Sequence, residues 1–437
     1  MARNETLKQS WNMCSSPALD RRRFIESALV GAGGLGIVAA GPQSWLSAMA
    51  AAGKNSDRVL VVIQLSGGND GLNTVIPFKN ESYRKARPKL AIAESDVLKI
   101  NDELGFHPAL RGAADLLESG TLSFIQGVGY DKPNRSHFES MDIWHTCARK
   151  QTRTGEGWIG RWFSQQAKSN SDFGGGLHLG GEQQPAALVS RDVPVPSVAS
   201  LAQFRLQLPG RDQVKQQLMD LVRKHASQPS AGSARAAEEM QAADDLLSFV
   251  QSNTQAAIDT GERLEAAAKG SLESDGFPAT QLGEKLHIVA QLIAGELPTR
   301  VYYVTLDGFD THAQQAPAHT GLLRQWSDAT AAFVKFLNAR GHGDRTLVFT
   351  FSEFGRRVAE NASDGTDHGA AAPVFLVGPK LNSGPFGALP SLNDLDDGDL
   401  KFHTDFRRVY ASIIEGWFES PSESVLGAQY KPLDIWS

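Results

Sequence analysis

The sequence predicts an α/β protein of three layers, a mostly parallel sheet flanked by helices, and three observations support this. Two apolar runs, 300–306 (RVYYVTL) and 345–351 (RTLVFTF), are β-branched and aromatic without turn residues, the pattern of strands buried on both faces. Such runs alternate along the chain with segments of helical periodicity, as βαβ units require. Acidic and histidine-bearing segments then follow: LDGFDTH at 306–312, FSEFGR at 351–356 and TDHG at 366–369. Ligands of an open α/β sheet bind beyond the carboxyl ends of its strands, so Asp, Glu and His gathered there predict a metal-assisted active site.

The first segment in chain order reads as an address. Arg21, Arg22 and Arg23 precede Phe24 and Ile25, then a weakly apolar Gly/Ala-rich stretch over 28–40, Pro42 and small residues at 48–52. This resembles a bacterial twin-arginine (Tat) signal with cleavage between Ala51 and Gly53. The stretch is too short and glycine-rich to cross about 30 Å of hydrocarbon, so no stable membrane insertion is expected. Residues 1–52 are therefore expected to be a signal peptide handled by the Tat translocase, and 53–437 a periplasmic or secreted domain. Without residues 1–52 the chain keeps 38 basic against 46 acidic residues, a net charge of −8, with no polycationic run to suggest nucleic acid or an anionic membrane as partner. Of the two cysteines, Cys14 lies in the leader and Cys147 is left alone, so no intramolecular disulfide can form after cleavage.

Residues 58–65 read as a strand running into the loop SGGNDG at 66–71, and helical patterning over 108–119 leads to a strand at 122–128, one βαβ unit. A helix follows NRSHF (134–138) and ends near His145. Residues 151–200, rich in Gly, Pro and Gln, read as irregular surface or lid structure. Residues 211–275 show amphipathic periodicity and are expected to be a helical insertion packed on the sheet. Further helices are expected at 280–297, about 322–340 and 405–418, and a last strand at 373–377. No internal repeat is present.

The chemistry-bearing residues fall into pairs. Asp70 sits among glycines that let a backbone approach a ligand closely, or is a turn residue. Asp310 and His312 point the same way on extended backbone and can share a metal; His312 could instead cap the following helix. Asp367 and His368 are adjacent, face opposite sides and could serve two metals from one loop. Glu353 is a ligand or the partner of Arg356.

In order, VVIQLSGGNDGLNTVIP, GFHPAL, NRSHF, GFDTHA, SEFGRR, TDHG and TDFRRVY resemble the Tat-exported family of domain of unknown function 1501 over nearly the whole chain. That family is similar to the alkaline phosphatase and sulfatase superfamily. The resemblance implies an alkaline-phosphatase-like fold and one or two divalent metal ions, whether zinc, manganese, magnesium or calcium. It makes Asp70, Asp367 and His368 ligands, with Asp310 and His312 on the other metal and Asp307 as alternative acidic partner. His403 would be a last ligand or a surface histidine. Ser136, after the second strand, falls at the nucleophile position, where a helix N-terminus would stabilise developing charge, or is a plain N-cap. Arg135 or Arg356 would hold the oxygens of a phosphate or sulfate, and His137 would be ligand, nucleophile or acid. A formylglycine sulfatase needs Pro and Arg two and four residues after its Cys or Ser, and neither Ser136 nor Cys147 has them. His107 is expected to be a buried histidine, and His145, His178, His225, His287, His319 and His342 carry no ligand spacing.

The implied function is an exported metal-dependent hydrolase of phosphate or sulfate esters, its substrate a small molecule or glycan ester. The alternative is a non-catalytic envelope binding or assembly protein that keeps the fold.

Overall fold

A computed structural model describes residues 58–169, 173–181, 183–193, 195–198 and 275–437. The expected signal peptide and nearly all of the expected helical insertion at 211–275 lie outside the described residues. Nine strands form the central sheet: β1 (Val59–Ser66), β2 (Leu122–Gly129), β3 (Gly176–Leu179), β4 (Ser197–Val198), β5 (Val301–Asp307), β6 (Thr346–Phe351), β7 (Ala372–Val377), β8 (Gly384–Phe386) and β9 (Thr404–Asp405). Their spatial order is β8-β2-β7-β6-β1-β5-β3-β4, with β9 also paired to β2. β1 pairs in parallel with β5 and β6, while β7 is antiparallel to both β6 and β2. β7 is thus the one strand of this sheet that runs against the rest, and the expected mostly parallel class stands.

Both faces of β1 are covered. Val59, Val61, Ile63 and Leu65 pack with helices α1 (Arg111–Glu118), α4 (Gln281–Ala294) and α5 (Gln315–Ala339). Leu60 and Val62 face the other way, onto α2 (His137–Thr146), α3 (Trp158–Ser169) and α6 (Phe406–Ala411). Alternate residues of a strand point to opposite faces, so an unbroken apolar run builds three layers.

Three expectations need correction. The described residues of 151–200 are not only irregular surface: they supply α3, β3 and β4, the far edge of the sheet. Their glycines mark close backbone approach, since a Cβ on Gly174 would lie 1.6 Å from the Pro298 oxygen and one on Gly160 1.8 Å from that of Val189. β1 and β2 belong to a parallel set with α1 between them in sequence, but β6 and β7 lie between them in the sheet. Helix α5 starts at Gln315, earlier than the apolar spacing indicated, because its first turns bury Gln315 and His319, which are polar. Among the described residues, no helix is long and apolar enough to cross a membrane.

Candidate metal centre

The loops after β1, β5 and β6 interlock at the carboxyl ends of their strands. Gly67 has φ +116°, and a Cβ there would lie 2.4 Å from the Asp310 nitrogen, so only glycine admits the β5 loop this close. The Gly67 amide donates to Glu353 Oε1 at 2.9 Å and the Phe309 amide to the Ser66 carbonyl at 3.1 Å. Arg356 is buried between the three loops. Its Nε donates to the Gly68 carbonyl (2.7 Å), Nη1 to that of Thr366 (2.8 Å), and Nη2 to those of Gly67 and Phe309 and to Asp310 Oδ1 (2.7 Å). With those donors committed, Arg356 is a brace for Asp310 and not an oxyanion clamp.

Three histidines gather around the two carboxylate oxygens of Asp310. Asp310 Oδ1 lies 3.0 Å from both His312 Nε2 and His368 Nε2, and those two nitrogens are 2.9 Å apart. His137 Nε2 is 3.4 Å from Asp310 Oδ2, yet it is buried and makes no hydrogen bond. The other ring nitrogen of each histidine faces an acceptor: His137 Nδ1 and Glu353 Oε1 are 2.8 Å apart, His312 Nδ1 and Asp367 Oδ1 3.2 Å, His368 Nδ1 and the Arg135 carbonyl oxygen 2.8 Å. A carbonyl or carboxylate oxygen only accepts, so in each neutral ring the proton belongs on Nδ1. The Nε2 lone pairs of His312 and His368 therefore face each other and Asp310 Oδ1, and that of His137 faces Oδ2, with no proton between them. Such an arrangement is repulsive until a proton or a cation enters it.

The electrostatics agree. Burial would raise the Asp310 carboxyl's pKa, but Arg356, through its hydrogen bond and its charge, and the adjoining histidines hold it far below the usual carboxylate range. The hydrogen bond to Glu353 raises the His137 pKa against the opposing effect of burial. Asp367 is lowered by its bond from Asn361 and then by His312. One ligand atom each from His137, Asp310 and His368 lie within 4.8 Å of one another, a spacing a metal ion could bridge. Imidazole nitrogens beside a carboxylate suit zinc, with His312 Nε2 next to the group at 3.0 Å from Asp310 Oδ1, whereas magnesium and calcium favour all-oxygen sites. The acceptors behind each ring are what a ligating histidine requires to fix its tautomer.

Several expected site residues stand elsewhere. Asp70 does not reach the cluster: its carboxylate accepts from Arg87 Nη1 at 2.6 Å and from Gln315 Nε2, and both it and Arg87 are buried. Glu353 is neither a cluster donor nor the partner of Arg356; it holds His137 and the Gly67 amide. Asp367 sits behind His312, its Oδ1 3.2 Å from Nδ1, outside the His137, Asp310 and His368 group. His403 is exposed before β9, its amide on the Gly127 carbonyl. Arg135 is turned onto Asp397 and Asp399. His137, placed among the catalytic groups from sequence, brings Nε2 to the cluster. Ser136 is the exposed N-cap position of α2, but its hydroxyl makes no capping bond. His107 is buried as expected, with Nδ1 accepting from the Ala109 amide. Arg87 and Gln315 were not singled out in the sequence; Gln315 Oε1 accepts from Thr311 and Thr366, tying both ligand loops to Asp70.

The family model described as protein of unknown function (DUF1501) matches residues 57–397. The chain belongs to the DUF1501 family. No curated protein matches it. Among solved structures, this DUF1501 chain is loosely similar to the PsFucS1 sulfatase from Pseudoalteromonas sp., at 10% identity over 90% of this chain and 74% of that one, TM-score 0.39. It is also similar to the C-terminal periplasmic domain of EcEptC from Escherichia coli, at 10% identity, 88% and 90% coverage and TM-score 0.36. A third likeness is to a protein in the alkaline phosphatase superfamily from Vibrio parahaemolyticus, at 9% identity, 80% and 71% coverage and TM-score 0.35.

Proposed function

We propose that this protein is an exported hydrolase of phosphate or sulfate esters that depends on one divalent cation, zinc before manganese, magnesium or calcium. The observation that carries the reading is the convergence of the His137, His312 and His368 Nε2 lone pairs on Asp310, with His137 Nε2 buried and unpartnered. A divalent cation bound there would supply Lewis-acid polarisation of an ester oxygen and offset charge developing on it. Glu353, Asp367 and the Arg135 carbonyl hold the three rings in orientation, and Arg356 holds Asp310. Ser136, beside His137 at the N-terminus of the ten-residue α2, is the group assigned to attack the phosphorus or sulfur, helped by the positive end of the helix. Its oxygen bonds to that atom as the ester's alcohol leaves with the hydroxyl proton, and water then releases phosphate or sulfate and restores the serine. The twin arginines Arg21 and Arg22, followed by Arg23 and then Phe24 and Ile25, support export by the Tat route to the periplasm or beyond.

A second reading, an envelope binding or assembly protein that holds the cation without turnover, is favoured by one feature. Among the described residues, no base is hydrogen-bonded to the Ser136 hydroxyl. Elemental analysis of the purified protein beside a His137→Ala/His368→Ala double variant tests the shared part. We expect one equivalent of metal, absent from the variant; wild type that takes up none after reconstitution with zinc, manganese, magnesium or calcium sinks both readings of the centre. Turnover of aryl phosphate or sulfate esters, abolished in Ser136→Ala, then selects the hydrolase, and its absence from metal-loaded wild type selects the binding protein.

A further inference from the structure

We propose that Arg135 and Arg357 form a subsite for the tetrahedral oxyanion of a phosphate or sulfate ester, and that the Asp397 carboxylate occupies it in this structure. The inference deepens the hydrolase reading and rests on it for the word ester.

The two arginines are anchored to the metal-centre loops by their own backbones. The Arg135 carbonyl accepts from His368 Nδ1 at 2.8 Å, and the Arg357 amide donates to the Asp367 carbonyl at 2.9 Å. Their guanidiniums meet the tip of the hairpin formed by Leu395–Asp396 and Asp399–Leu400. Asp397 and Gly398 at that tip have φ +50° and +86°, the paired positive angles of a tight two-residue hairpin turn, which favours Asp-Gly. The turn carries Asp397 to the guanidiniums. Its Oδ2 accepts from Arg135 Nη1 and Nη2, each at 3.1 Å, and from Arg357 Nη2 at 3.3 Å. Three donors from two planar forks on a single oxygen is how one corner of a sulfate or phosphate is held.

The two aspartates of the hairpin divide the work. The Asp399 side chain is 3% exposed; its Oδ2 takes Arg135 Nε at 2.9 Å and Nη2 at 2.7 Å, while Oδ1 makes no hydrogen bond and lies 3.7 Å from Arg357 Nε. It aims both forks outward. The Asp397 side chain is 77% exposed and rehydrates on leaving at little cost. With Asp397 in place, two guanidiniums face two carboxylates and the quartet is neutral. With Asp397 displaced it carries one positive charge, a match for an anionic ester and not for a neutral one. Arg87 and Arg356, the other guanidiniums of these loops, are committed to backbone carbonyls, Asn73, Asp70 and Asp310.

Calorimetric titration of the full chain with inorganic sulfate and, separately, inorganic phosphate tests the subsite, in chelator-treated and zinc-reconstituted protein alike. Asp397→Asn should bind the anion about three- to tenfold more tightly than wild type, the range set by releasing a solvent-exposed ion pair from two arginines. Adding Arg357→Gln to that variant should abolish the gain, and Arg357→Lys should keep part of it because charge remains while the fork is lost. The anion showing the larger gain identifies the ester class. Unchanged affinity in Asp397→Asn, or a gain that survives Arg357→Gln, overturns the subsite. The chelator-treated arm reads the arginines without any cation, so absence of a metal centre and absence of this subsite give different results.

Discussion

Two aspartates leave adjacent parallel strands of one sheet and end in opposite circumstances. Asp70, after β1, is sealed from water and its charge is cancelled by Arg87, with Gln315 completing its hydrogen bonds. Asp310, after β5, is half-exposed; it joins Glu353 and Asp367 around three imidazoles, and among the described residues Arg356 is the one guanidinium hydrogen-bonded to any of these three carboxylates. The first region is neutral from its own residues. The second carries two negative charges with neutral rings, which is the charge a divalent cation offsets. The same residue types therefore make a structural brace where an arginine is supplied from within the fold, and a ligand site where it is not.

The sharpest way to break this comparison is Arg87→Met. It leaves Asp70 buried without its counter-charge and should cost about 3–5 kcal/mol in urea unfolding; a cost under about 1 kcal/mol would show that Asp70 does not need its arginine. Acid titration probes the same buried region at slightly smaller scale. Burial lowers His107 and His319 to about 4 each, from an ordinary 6.5. Their folded pKa lies below the unfolded one, so the folded state binds fewer protons. Stability is complete above pH 6.5, falls as the pH drops from there to 4, and levels below. Each histidine contributes about 3 kcal/mol to that fall, and His319→Asn should remove one share of the slope measured between pH 7.5 and 4.5. Asp70, held below its ordinary range by Arg87 against the effect of burial, contributes only under still more acid conditions.

The open region should instead respond to cation. Zinc at a hundred times its dissociation constant should stabilise the protein by about 2.7 kcal/mol in thermal melts. The effect should vanish in His137→Ala and persist in His403→Ala; the reverse pattern would place the site elsewhere. Gln315→Ala tests the link between regions, since Gln315 ties Asp70 to Thr311 and Thr366. About 1–3 kcal/mol of stability should be lost, with zinc affinity down about tenfold as the ligand loops loosen. Unaltered zinc affinity would show that the two regions are independent.

The strands that carry the loops were legible because double-sided burial leaves an unbroken β-branched run, and the gathering of Asp310 and His312 with His368 follows from two such strand ends, His368 standing just before the next strand. The roles within the site were less so. Glu353 and Asp367 are the same residue types as ligands, and only geometry shows that each stands behind a histidine. Asp70 was misplaced because its partner Arg87 comes from a polar stretch after the short helix Glu81–Ala86, where no apolar pattern announces burial. Residues 151–200 misled for a related reason: glycine there permits backbone contact within the sheet layer, while in a sequence it reads as a turn.

The reversed direction of β7 has a consequence for how the centre breathes. The segment 352–371, which brings Glu353, Asp367 and His368, leaves the carboxyl end of β6 and re-enters at the start of β7 next door, because an antiparallel neighbour begins where its partner ends. A parallel return would need a crossover along the full strand. The segment is thus a clasp fastened at both ends to adjacent strands, one of them wedged between β6 and β2. Freeing it means peeling a central strand, so slow amide exchange across the clasp should track global opening of the sheet and not loop fraying.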